Sequence, residues 1–110
     1  MKVLTSCLLG SLLFLANQVY AEQTINLTAC RGLTVEDFHA VAKYALNKRR
    51  YQIEEDTGDT LTGAQKKYKV EIAMTSPEQI VIRWKPGFGY KKDNWLISLK
   101  KDVLWRLFSE

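Results

Sequence analysis

The stretch Tyr68-Lys69-Val70-Glu71-Ile72-Ala73-Met74-Thr75-Ser76-Pro77-Glu78-Gln79-Ile80-Val81-Ile82-Arg83-Trp84 decides the fold. Successive side chains of an extended chain point to opposite faces. Tyr68, Val70, Ile72 and Met74 therefore share one face, and Lys69, Glu71 and Ala73 the other. A strand that is apolar on one side and charged on the other belongs to a sheet packed on one face only. Ser76-Pro77-Glu78 is a turn in which Pro77 pre-sets φ. Gln79 to Trp84 then returns as a second strand, rich in the β-branched residues Ile80, Val81 and Ile82. So short a connection makes the two strands antiparallel, because a parallel pair needs a crossover of about a dozen residues or more. Val70 and Ile82 are expected to face inward.

Working outward from this hairpin, Thr60 to Gln65 reads as another strand, weakened by Gly63. Thr57-Gly58-Asp59 is a turn, with Gly58 supplying positive φ. Tyr51 and Ile53 alternate with Gln52 and Glu54 in a half-buried strand. Before it the period changes to that of a helix. Thr34 is a good N-cap, Asp37 stands three residues on, and Leu33 and Phe38 are placed for a hydrophobic staple. Val35, Phe38, Val41, Ala42, Ala45 and Leu46 form one apolar stripe. Lys48, Arg49 and Arg50 suit the negative end of the helix dipole, so the helix is expected at residues 35–48. On the other side, residues 85–92 form a loop containing Pro86, Gly87 and Gly89. Asp93 or Asn94 caps a second helix. Trp95, Leu96, Leu99, Val103, Leu104 and Leu107 line one face of it, and Lys100, Lys101 and Arg106 the opposite face. The expected fold is α+β: a two-layer sandwich in which an antiparallel meander of three or four strands is flanked in sequence by two helices. Residues 34–110 make a single domain. Residues 22–33 lack periodicity and read as an extended lead-in.

The start of the chain is organised for export. Lys2 precedes an apolar run from Val3 to Ala16, and Val19-Tyr20-Ala21 places small residues at −3 and −1 of a cut before Glu22, the pattern of a signal peptide at residues 1–21. The run is too short to cross a bilayer core of about 30 Å, so no transmembrane segment is expected once the leader is removed. The short n-region suits a bacterial export signal, which places the product in the periplasm. Leu4-Thr5-Ser6-Cys7 and Leu27-Thr28-Ala29-Cys30 both resemble a lipidation tetrad, which must abut the apolar run. Cys7 comes too early and Cys30 too late for that, so a lipid anchor is the weaker alternative.

Of the 110 residues, 16 are Lys or Arg and 12 are Asp or Glu. Loss of Lys2 lowers the net charge from +4 to +3. So mild a basicity does not call for nucleic acid. Without Cys7, Cys30 stands alone. It reads as a small apolar residue near the first helix, or as half of an intermolecular disulfide, since an unpaired cysteine in an oxidising compartment invites one.

Arg31, Thr34-Val35-Glu36-Asp37, Lys48-Arg49-Arg50-Tyr51-Gln52-Ile53, Tyr68-Lys69-Val70-Glu71-Ile72, Ile80-Val81-Ile82-Arg83-Trp84 and Trp95-Leu96-Ile97-Ser98-Leu99 together resemble a group of small bacterial periplasmic proteins and lipoproteins with a helix–strands–helix plan. The resemblance covers about residues 31–108. It implies the compartment and the fold, and it brings no catalytic or binding residues. Many of that group are lipidated, and this chain departs from them because no cysteine directly follows its apolar run.

Signatures of catalysis are missing. His39 is the sole histidine and reads as a half-exposed helix residue. A Cys30–His39 nucleophile pair needs hydrogen-bond reach and an orienting third group. Glu54, Glu55, Asp56 and Asp59 crowd one hairpin, but they do not extend into the twelve-residue Ca²⁺ loop and read as a solvated acidic turn. Gly87-Phe88-Gly89 is too short for a phosphate loop. No enzyme, metal or cofactor is expected. The stretch from Trp84 to Lys92 alternates aromatic rings with cations on a loop: Trp84, Lys85, Phe88, Tyr90, Lys91 and Lys92. Such residues suit an anionic, partly apolar partner, although Trp84 and Phe88 also fit as caps of the core. The leading expectation is a non-catalytic periplasmic module that binds an envelope component or a protein partner. The alternatives are a structural or assembly subunit, dimeric through Cys30 or a strand edge, and a small Cys/His enzyme. Replacing Phe88 and Tyr90 together by Ala is expected to weaken partner binding while leaving thermal stability nearly unchanged. A large drop in melting temperature would return both rings to the core.

Overall fold

The computed structural model describes residues 22–27, 32–85 and 94–108. The leader at 1–21, Cys30, Arg31, Asp93 and the loop residues 86–92 lie outside the described residues. The elements run β1 (Glu22–Asn26), α1 (Val35–Lys48), β2 (Gln52–Asp56), β3 (Thr60–Gln65), β4 (Tyr68–Ser76), β5 (Gln79–Trp84) and α2 (Asn94–Phe108). The strands form one antiparallel sheet in the order β1-β5-β4-β3-β2. The class and the helix–strands–helix plan are those expected. The sheet has five strands rather than three or four, because the lead-in contributes β1. Ile25 pairs with Ile80 and Gln23 with Ile82, and Leu27 N–H donates to the Glu78 carbonyl at 2.7 Å. Gln23, Ile25 and Leu27 are buried while Thr24 is partly open and Asn26 exposed, a period of two that was present in the sequence but short.

Register explains the packing. Ile72 stands between Leu61 of β3 and Ile82 of β5, and Val70, Ile72, Ile80 and Ile82 are all fully buried. Burying each such side chain contributes about 1.5–3 kcal/mol. Both helices meet the sheet: α1 over β2, β3 and β4, and α2 over β1 and β5, with the helices touching each other. Thr34 caps α1, its Oγ1 accepting from Asp37 N–H at 3.1 Å. Gly63 is where α1 comes closest. A Cβ there would stand 2.8 Å from Leu46 Cδ2 and 2.9 Å from Tyr51 Cβ. The glycine that weakened β3 as a sequence pattern is thus the one that admits the helix.

The opposite sheet face carries charge. Arg83 donates to Glu71 at 2.8 Å, Lys69 pairs with Glu54 at 2.8 Å, and Lys85 pairs with Glu55. Asp56 takes His39 Nε2 at 2.5 Å and Gly58 N–H at 2.9 Å. These two bonds hold its carboxyl below the usual range, His39 contributing most. Glu54, Glu55 and Asp56 of this hairpin are therefore paired with cations from other strands and with His39 of α1, whereas Asp59 accepts from the Thr57 and Thr60 hydroxyls.

Lys100 departs from expectation. It is buried, not on the exposed face, at 3% exposure, and its Nζ has no hydrogen-bond partner among the described residues. The cause is geometric: Leu96, Lys100, Val103 and Leu107 recur at helical spacing, and α2 packs against both a helix and the sheet, so its buried arc is wider than one apolar stripe. Burial lowers the Lys100 pKa from its ordinary 10.5. The folded chain thus binds that proton more weakly than the unfolded chain, and stability rises as pH climbs from the depressed value towards 10.5. Lys100→Met is expected to raise stability at neutral pH by about 1–2 kcal/mol and to flatten this pH dependence. Chemical denaturation across the alkaline range measures both, and a loss of stability would show that the ammonium has a partner.

Candidate functional site

The end of α1 is the local source of the site. The helix stops through Arg50, which adopts the left-handed conformation with φ of 64°. That conformation costs a non-glycine residue roughly 1–2 kcal/mol. It lets Tyr51 N–H close back on the Leu46 carbonyl at 2.9 Å, in the manner of a helix-terminating turn. Arg49 and Tyr51 flank this strained residue and face α2.

Asp102 of α2 fixes Arg49. Arg49 Nε donates to Asp102 Oδ2 at 2.6 Å and Nη2 to Oδ1 at 3.3 Å, the two-pronged geometry favoured by guanidinium and carboxylate. Lys48 Nζ approaches the same carboxylate at 3.3 Å. The Asp102 side chain is only 6% exposed, so its charge is offset by two cations rather than by water. The hydrogen bond to Asp102 raises the Arg49 pKa above its already high ordinary value, and the guanidinium stays charged. From β3, Gln65 Nε2 donates to the Arg49 carbonyl at 2.9 Å.

These residues form one wall of a cleft. Arg49, Tyr51 and Gln65 face Asn94, Trp95 and Ser98 from the first turns of α2 across a cavity of about 250 Å³. Drug-sized ligands fill about 300–1,000 Å³, so this space suits something smaller. Trp95 is held by neighbouring rings: its centroid lies 6.1 Å from Tyr68 and 6.2 Å from Trp84, with Tyr68 and Trp84 6.0 Å apart. Aromatic pairs at such distances and tilts are favourable. Tyr51 is 6% exposed. Burial pushes its pKa up to about 12. Among the described residues no histidine or carboxylate lines the cleft. The described lining can donate hydrogen bonds and stack rings.

The sequence-derived site residues fall elsewhere or outside view. Trp84 is buried against Tyr68 and Trp95, and its Nε1 finds no acceptor among the described residues. Lys85 is paired with Glu55 on the charged sheet face. Phe88, Tyr90, Lys91, Lys92 and Cys30 lie outside the described residues. His39 pairs with Asp56. Sequence reasoning missed the cleft because its described lining residues come from three separate places, the α1–β2 connection, β3 and α2. One signal was legible: Lys48-Arg49-Arg50 ends a helix where a glycine is usual.

The Tyr51 shift has a measurable consequence. An unfolded tyrosine ionises near 10, whereas folded Tyr51 holds its proton up to about 12. Its contribution to stability is therefore complete below pH 10 and is lost as pH rises through 12. Tyr51→Phe is expected to remove this fall, and absorbance titration of the wild type is expected to show one phenol ionising near 12. A Tyr51 that ionised near 10 in the folded chain would place it in water. Comparison with known proteins finds no family model that matches the chain, and no curated protein or solved structure that matches it.

Proposed function

We propose that the chain is a non-catalytic binding module that acts after export, in the periplasm, and that it holds a small ligand in the cleft between the end of α1 and the start of α2. The observation that carries this reading is the cleft itself. Tyr51 is almost wholly buried at its wall, and Arg49 is held in place by Asp102. A positioned charge and fixed aromatic walls around a cavity are what a binding site needs before its ligand arrives. The chemistry of the described lining favours holding over bond breaking, because general acid–base work needs a group whose pKa lies near the working pH and no histidine or carboxylate is among those residues. An envelope component is the partner class this reading draws on.

A space-filling variant tests it. Ser98 is half-buried on the second turn of α2, and Ser98→Phe is expected to occupy the cleft without removing any core contact. The mature wild-type domain, titrated with the low-molecular-weight fraction of a bacterial envelope extract, is expected to show amide shifts confined to Arg49, Tyr51, Gln65, Asn94, Trp95 and Ser98. The Ser98→Phe variant is expected to keep its melting temperature within a few degrees and to lose the response. A response that survives in the variant, or that maps away from these residues, would refute the cleft as the site.

A further inference from the structure

Separately from the cleft, we infer that the outer face of α2 lies against the surface of an anionic lipid bilayer. The helix is apolar on two sides. Leu96, Leu99, Val103 and Leu107 are buried in the domain and occupy one of them. On the other, Ile97, Lys101 and Trp105 recur every fourth residue, and Leu104 and Phe108 repeat that spacing beside them, so all five share one stripe. The stripe is about 16 Å long, at roughly 1.5 Å of rise per residue. Ile97 is exposed and Trp105 is 65% exposed, while Leu104 and Phe108 are only partly buried. A single exposed apolar side chain is ordinary. A contiguous stripe that includes a largely exposed tryptophan marks a surface that meets a partner.

The charge beside the stripe selects the partner. Lys101 stands exposed within it. Arg106 lies over the Tyr44 ring, its Cζ 4.9 Å from the centroid, and Lys48 Nζ lies 5.9 Å from the same centroid. α1 thus brings another ring and another cation to the flank of α2. The acid of α2 among the described residues is Asp102, which is buried and already shared by Arg49 and Lys48. On the far side of the sheet, by contrast, Arg83, Lys69 and Lys85 each meet a glutamate. Tryptophan and tyrosine favour the headgroup level of a bilayer, and basic residues are drawn to anionic headgroups. An apolar anchor with a basic flank supplies the two contributions that surface binding needs. A convex ridge of this kind meets a deformable lipid surface without the pocket that an anchor residue fills in a folded partner.

Vesicle binding by the mature domain, without its leader, tests this. The domain is expected to co-sediment with vesicles of phosphatidylcholine mixed with phosphatidylglycerol, and to bind phosphatidylcholine alone about tenfold or more weakly. Trp105→Ser is expected to weaken binding to the mixed vesicles about tenfold. Its melting temperature is expected to stay close to that of the wild type, because most of the ring is already in water. Lys101→Glu, a second variant on the exposed face, is expected to weaken the same binding about fivefold or more and to leave binding to phosphatidylcholine alone within about twofold. Unchanged binding in both variants would overturn the placement on α2. Equal binding to the two kinds of vesicle would overturn the anionic preference. Failure to bind the mixed vesicles would overturn the inference as a whole. So would a wild-type dimer on a sizing column that Trp105→Ser converts to monomer, which would give the stripe to a second copy of the chain. None of these outcomes decides the cleft reading, because Lys101 and Trp105 are not among its lining residues.

Discussion

The molecule depends on a sheet that is apolar on one face only. β4 and β5 present Val70, Ile72, Ile80 and Ile82 to that face, all fully buried, and each has a cross-strand apolar neighbour through the register of β1, β3 or β5. Two helices are required to cover so broad a surface. Once both lie on the same side they must touch, and that requirement brings the carboxyl end of α1 beside α2. The charged face opposite needs no cover, because Arg83, Lys69 and Lys85 meet Glu71, Glu54 and Glu55 across the strands.

The juxtaposition of helices creates an electrostatic problem and its solution. The end of α1 is rich in cations, and α2 offers Asp102 from a position that the core would otherwise reserve for an apolar residue. A buried carboxylate is costly unless it is paired, and here Arg49 and Lys48 both pair with it. The pairing stabilises the helix contact less than it orients it. Arg49 acquires a fixed direction, Arg50 accepts a left-handed backbone, and Tyr51 is turned into the gap. Strain retained at one residue of a helix end is often the mark of a functional place, and here it stands at the lip of the cleft.

Much of the fold was legible because it follows from periodicity. The span of α1, the turn at Gly58, the inward side of β4 and the return through Pro77 all rest on local patterns that tertiary structure did not override. β1 was not legible: Gln23, Ile25 and Leu27 give only a few alternations, and the polar Gln23 hides that the face is apolar. Lys100 carries a charge, which ordinarily implies exposure, yet its spacing from Leu96 and Val103 puts it on the buried arc. The cleft was hidden for a different reason. Arg49, Gln65 and Asn94 are far apart in sequence, and nothing local states that Asp102 will turn Arg49 towards Trp95.

The central claim is that the cleft exists before any ligand arrives, held by the same packing that holds the sheet. Amide hydrogen exchange of the unliganded domain tests this most directly. The account predicts that the amides of Tyr51 and Ser98 exchange slowly, with protection approaching that of Ile72 and Ile82. Exchange of Tyr51 and Ser98 at the rate of an unfolded chain, beside a protected β4 and β5, would contradict it.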